Sequence, residues 1–147
     1  MPSVTHPDWI RYENECEKHK WTLERNLPTV WNQLLEYIES LPLDSLTGIA
    51  DLKRDSSRRG AGLHVTMPGG FLAPHLDYAL HPNGLERRAN LILFLDDEPS
   101  EDGGALQLCD PFGKPLRTYY GLENRAIVFE CGENSYHGVS RLAPTAK

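Results

Sequence analysis

The segment "GGFLAPHLDYALHP" (residues 69–82) sets His75 and Asp77 two positions apart in a run that reads as a β-strand. Strand residues i and i+2 project from the same face, with Cα atoms roughly 7 Å apart. An imidazole and a carboxylate turned inward together are costly to bury unless something pairs with them. A metal ion would offset that cost, because both groups carry ligand atoms. A second His-x-Asp, His6-Pro7-Asp8, lies beside a proline and ahead of a predicted helix. Asp8 reads there as an N-cap, a structural role. His75 and Asp77 are joined about sixty residues later by His137, in "VFECGENSYHGVS" on another predicted strand. Two histidines and one carboxylate on one face of a metal leave coordination positions open, which suits non-haem Fe(II) oxygen chemistry. On spacing alone, a hydrogen-bonded core pair plus a surface histidine is the competing reading.

The elements that must position these residues change character along the chain. "LPTVWNQLLEYIES" (27–40) places Val30, Leu34, Leu35 and Ile38 on one helical stripe, with Pro28 near the first turn. The more polar segment 8–26 is predicted helical, and "DSLTGIADL" (44–52) a short third helix. "KRDSSRRGAG" (53–62) is a charged, Gly-rich linker whose Gly60 and Gly62 are too few for a dinucleotide fingerprint. From residue 62 the pattern is β. "GLHVTM", "FLAPHLDY", "ANLILFL", "ALQLC", "RAIVFEC" and "SYHGVS" are short apolar or alternating runs separated by turn clusters. Such spacing predicts a sandwich or jelly-roll barrel. With helices first and strands after, the expected class is α+β. The expectation is one domain over 1–147, with a helical part at 1–58 and a jelly-roll core at 59–147.

Composition narrows the function. A chain of 147 residues with 39% hydrophobic and 24% charged residues can bury one sizeable core. Its net charge of −6 argues against a nonspecific nucleic-acid binder. Cys16, Cys109 and Cys131 form neither a zinc pattern nor a disulfide framework, so a reducing, cytoplasmic setting is expected. No apolar run approaches the ~18 residues of a membrane span, and the start "MPSVTHPDWI" has no signal-peptide pattern.

Taken in order, "GGFLAPHLDY", "RRANLILFLDDEPSEDGGALQL" and "NRAIVFECGENSYHGVS" resemble the Fe(II)- and 2-oxoglutarate-dependent oxygenases, in their prolyl-hydroxylase-like branch. The shared elements are His-x-Asp, an apolar strand ending near Leu95, Gly-Gly-x-Leu-x-Leu, an apolar strand with a phenylalanine, and His-Gly-Val. They cover residues 60–147. The resemblance implies a double-stranded β-helix (jelly-roll) core with the N-terminal helices packed outside. It also implies metal ligands at His75, Asp77 and His137, with 2-oxoglutarate as co-substrate, O2 as oxidant and ascorbate as an accessory reductant. The charge count agrees: two neutral imidazoles and one carboxylate leave +1 on Fe(II), a match for a dianionic 2-oxo acid.

In relatives the inward face of the strand at "ANLILFL" lines the co-substrate pocket, which points to Asn90, Ile92 and Phe94. Phe94 stands where a tyrosine is usual, and Thr66 stands about where a second tyrosine is found, so two phenol donors are absent. The family places a lysine or arginine nine to eleven residues beyond the distal histidine to hold the far carboxylate of 2-oxoglutarate. Lys147 falls at that offset, and Arg141 is a second candidate. The strand that would carry this residue and close the barrel is expected to be missing.

The expected activity is therefore hydroxylation of a prolyl, amino-acid-like or other small substrate, coupled to decarboxylation of 2-oxoglutarate. No nucleic acid and no membrane are expected as partners, and the oligomeric state is unassigned. Asp77 counts against the related halogenases, which have a small residue at that position. The rival readings are a weakly active or inactive jelly-roll metal-binding module and a cupin-like metal enzyme. The cupin pattern, His-x-His with a nearby Glu, is absent.

Overall fold

A computed structural model of the chain describes residues 10–15, 18–23, 28–55, 57–58, 61–77, 84–97 and 100–146. Two compact units divide it, Met1–Arg11 with Trp21–Val65 and Tyr12–Lys20 with Thr66–Lys147. Strands β1 (Ile10–Glu15) and β2 (Lys18–Leu23) pass through both. They correct the expected helix over 8–26. Helical propensity is a weak local preference, and it yields here to the ladder partners that β2 finds further along the chain.

In the first unit, helix α1 (Thr29–Ser40) begins just after Pro28, whose missing N–H costs nothing at a helix start. Trp31, Leu34, Leu35 and Ile38 are half-buried, whereas Val30 is 63% exposed, so the apolar stripe is rotated from the expected one. Helix α2 (Leu43–Thr47) is shorter than expected because Gly48, at φ 74°, supplies the left-handed residue that ends it. Strand β3 (Leu63–Val65) pairs with β2 in the register Trp21–Val65, Thr22–His64 and Leu23–Leu63.

The second unit is antiparallel β-structure. Its strands are β4 (Phe71–His75), β5 (Ala89–Leu93), β6 (Leu106–Cys109), β7 (Pro115–Tyr119), β8 (Ala126–Glu130) and β9 (His137–Val139). One sheet runs β2-β4-β9-β6-β7, and β5 and β8 form a separate ribbon. Strands distant in sequence are thus neighbours in the sheet, an order compatible with a jelly-roll core. Among the described residues, the buried apolar side chains are those of Ala105, Leu106, Cys109 and Phe129, and His137 is the buried polar one. Sequence patterning missed β7, whose first four residues are exposed, so that Leu116 stands there without a buried apolar alternation around it. Its hairpin with β6 is built by Asp110, whose Oδ1 accepts from the backbone N–H groups of Phe112 and Lys114 at 2.9 Å each.

The pairing of β4 with β9 matters most for the site. Leu72 stands opposite Val139 and His75 opposite His137, so three steps on β4 match two on β9. In an unbroken ladder His75 would face Tyr136. The bulge falls beside Pro74, which has no N–H to give to a ladder. Gly138 makes the close approach possible, because a Cβ there would stand 2.5 Å from the Leu72 carbonyl oxygen and 3.0 Å from the Pro74 nitrogen.

Among the described residues, no helix is long and apolar enough to cross a membrane.

Candidate metal centre

The β4–β9 bulge sets the rings of His75 and His137 with centroids 4.5 Å apart. Asp77 lies two residues beyond His75 and just outside β4, so the strand rule that suggested the pair holds only to the strand's end. It still reaches both rings. His75 Nε2 is 3.8 Å from Asp77 Oδ1, and His137 Nε2 is 3.5 Å from Asp77 Oδ2. One ligand atom from each of the three residues lies within 4.8 Å of the others, a grouping that could hold a metal ion.

The tautomers suit that role. His75 Nδ1 lies 2.9 Å from the Ala73 carbonyl oxygen and His137 Nδ1 lies 3.0 Å from that of Ser135. A carbonyl can only accept, so each ring carries its proton on Nδ1 and turns the Nε2 lone pair toward Asp77. His137 is 6% exposed, and burial holds its pKa below the ordinary histidine value, favouring the neutral form that can ligate. Burial alone would push Asp77 up. The Asn90 hydrogen bond, with the electrostatic influence of the neighbouring His137 and Arg87, outweighs it and holds the carboxyl below its ordinary value.

Asp77 is held by more than the histidines. The Asn90 side-chain amide donates to Oδ2, and Arg87 Nη1 approaches the same oxygen at 3.3 Å. Asn90, expected to face the co-substrate, therefore spends an amide hydrogen on the carboxylate. Phe129, opposite Asn90 on β8, packs against His137 with ring centroids 4.8 Å apart. Ile92, opposite Ile127, lies one step further along this face. Phe94 follows and meets Arg125, whose guanidinium carbon is 5.6 Å from the ring centroid.

Arg141 lies elsewhere. It is exposed, donates to the Gly69 carbonyl oxygen at 2.6 Å and stacks 4.2 Å from the Phe71 ring centroid. Lys147, like His6 and Asp8, falls outside the described residues. Cys131 is half-buried, and its thiol is pushed up to about 11 by burial and, secondarily, by the Asp77 charge, so it stays protonated near neutral pH. Patterning had not given Arg125 or Phe129 a role. Their signal was the alternation Arg125, Ile127, Phe129 in "RAIVFEC", which puts all three on one face.

A strand-rich antiparallel unit with two imidazoles and a carboxylate converging at its bulged strand pair is an arrangement that could hold a divalent metal with positions left open. The comparisons name the lineage. Residues 61–147, more than half of the chain, match the 2OG-Fe(II) oxygenase superfamily, and the chain belongs to it. Among solved structures it is similar to the crystal structure of a Pseudomonas putida prolyl-4-hydroxylase, at 19% identity and a TM-score of 0.64. That likeness covers 92% of this chain and 70% of the other, and it makes the fold prolyl-hydroxylase-like. No curated protein matches the sequence. Membership implies Fe(II) and 2-oxoglutarate, and the donor set fits such an ion: two nitrogen lone pairs and one carboxylate oxygen, already turned toward one another.

Proposed function

We propose that the chain is an Fe(II)- and 2-oxoglutarate-dependent hydroxylase with His75, Asp77 and His137 as the metal ligands. The convergence of their three ligand atoms within 4.8 Å, in a member of this superfamily, carries the reading. Fe(II) with 2-oxoglutarate and O2 supplies the oxidation: one oxygen atom enters a substrate C–H bond, the other enters succinate, and CO2 leaves. The residues of the chain do the positioning. His75 and His137 offer neutral Nε2 atoms, and Asp77 offers Oδ1 while Asn90 and Arg87 hold Oδ2. A carboxylate fixed in this way would hold the ion through Oδ1, with positions left for co-substrate and O2.

The fold of the Pseudomonas enzyme supports a prolyl or amino-acid-like group, free or within a peptide, as substrate class.

The test is succinate release with Fe(II), ascorbate and 2-oxoglutarate, run beside a metal-binding titration. The reading expects 2-oxoglutarate-dependent succinate that disappears in Asp77→Ala. Metal binding without any 2-oxo acid binding would instead support the jelly-roll metal-binding module.

A further inference from the structure

The sheet that carries the two histidines sets a cation on the same face. His75 stands opposite His137, His137 opposite Leu108, and Leu108 opposite Arg117. Residues directly opposite one another in antiparallel strands project to the same side. The four therefore form one row across β4, β9, β6 and β7. Adjacent strands lie about 4.8 Å apart, so Arg117 stands two strand widths, roughly 10 Å, from His137. Along the row burial falls, from buried His137 through half-buried Leu108 to exposed Arg117. The metal centre thus opens over an apolar step toward a positive charge.

That charge is not spent within the second unit. Arg117 Nη1 donates to the carbonyl oxygen of its own neighbour Leu116 at 2.9 Å, and no carboxylate among the described residues pairs with it. The other described arginines of this unit are engaged. Arg87 meets Asp77, Arg88 meets Glu130, and Arg125 and Arg141 lie against the rings of Phe94 and Phe71. The chain as a whole carries a net charge of −6, so a cation facing the metal side runs against its overall sign. A guanidinium presents a planar fork of donors that matches a carboxylate.

We infer that Arg117 is a specificity-determining residue that receives an acidic side chain of a peptide substrate lying over Leu108. The inference rests on the proposed prolyl-hydroxylase reading and adds the charge that the peptide carries. An extended chain advances about 3.3 Å per residue, so two strand widths span about three residues. The fitting substrate is a peptide with Asp or Glu within three residues of the proline that is oxidised. Such a contact is made equally before and during the chemical step, so it acts on KM rather than on kcat.

The experiment follows hydroxylation by the full chain with Fe(II), ascorbate and 2-oxoglutarate, read as the mass gain of one oxygen atom. The probes are alanine-based heptapeptides with a central proline and either Glu or Lys at one of the three positions on each side. At the position that meets Arg117, wild type should show a KM about three- to tenfold lower for Glu than for Lys, the scale of an exposed ion pair. High salt should shrink the difference. Arg117→Ala should remove the preference and Arg117→Glu should reverse it, with the shift in KM and with Co(II) affinity unchanged. Arg117 is exposed, so neither substitution reaches the core. A Glu preference that persists in both variants, or wild-type hydroxylation indifferent to Glu and Lys at every position, overturns the assignment of Arg117. Wild type that forms succinate from 2-oxoglutarate yet hydroxylates none of the peptides overturns the prolyl substrate class itself.

Discussion

Asp77 has two oxygens with different duties. Oδ2 is held by the Asn90 amide and lies 3.3 Å from Arg87, whereas Oδ1 lies 3.8 Å from His75 Nε2. Removing any one of His75, Asp77 or His137 by alanine substitution should therefore abolish Fe(II) or Co(II) binding in a titration. His6→Ala and Asp8→Ala should leave it unchanged. Asn90→Leu is a subtler test. The carboxylate would remain but lose the donor that fixes it, and outer partners of this kind typically carry about ten- to a hundredfold in metal affinity. Asn90→Gln, which can still donate, should recover part of that loss. Equal Co(II) affinity and an unchanged Co(II) spectrum in Asn90→Leu would show that Asn90 does not orient the ligand.

At the scale of elements, the centre depends on a one-residue shift. The bulge between Leu72 and His75 moves the partner of His75 from Tyr136 to His137, and Gly138 lets the two strands close around it. Gly138→Ala would drive a Cβ into the Leu72 carbonyl oxygen and the Pro74 nitrogen, both backbone atoms that cannot swing aside. Overpacking at such a point costs about 1–3 kcal/mol. Urea unfolding should register that loss, and metal affinity should fall with it because the histidines lose their register. Gly132→Ala, where a Cβ meets nothing within 4 Å, is the matched control and should affect neither.

Across the whole molecule, the site couples stability to metal and to pH. A ligand that binds only the folded chain stabilises it by about 2.7 kcal/mol at a hundred times its Kd. Added Co(II) should therefore raise the melting temperature of wild type and leave that of Asp77→Ala unchanged. Hydrogen exchange should slow in β4, β9 and β5, the strands that carry or flank the ligands, and not in α1. Without metal, the buried His137 resists a proton that the unfolded chain accepts at about pH 6.5. The unfolded state then binds more protons, so stability should fall as pH drops below about 6.5 and level off beneath the folded pKa. Asp77, also depressed, adds a contribution that is present above about pH 3.9 and lost as pH falls further. Urea melts of the metal-free protein between about pH 7 and pH 5 should show the histidine limb, and His137→Gln should flatten it.

Periodicity and turn chemistry were enough to read β3, β4, β5, β6, β8 and β9, because each lies in a short apolar or alternating run set off by turn clusters. His75, Asp77 and His137 were legible as residue types in an ordered series of motifs. Their meeting was not, since a bulge at Pro74 sets which residue faces His75, and nothing in residue spacing counts the extra step. The polar segment 8–26 read as helix because its local preferences were all that spacing could weigh; pairing with β3 and β4 decides for β2. The exposed β7 left no buried apolar alternation to read. Asn90 reads from sequence as pocket lining, and Arg125 as an ordinary charge after a turn. Only the tertiary structure sets Asn90 on Asp77, and the β5–β8 register, continued one step, sets Arg125 beside Phe94; those contacts join residues whose distance in sequence says nothing of their distance in space.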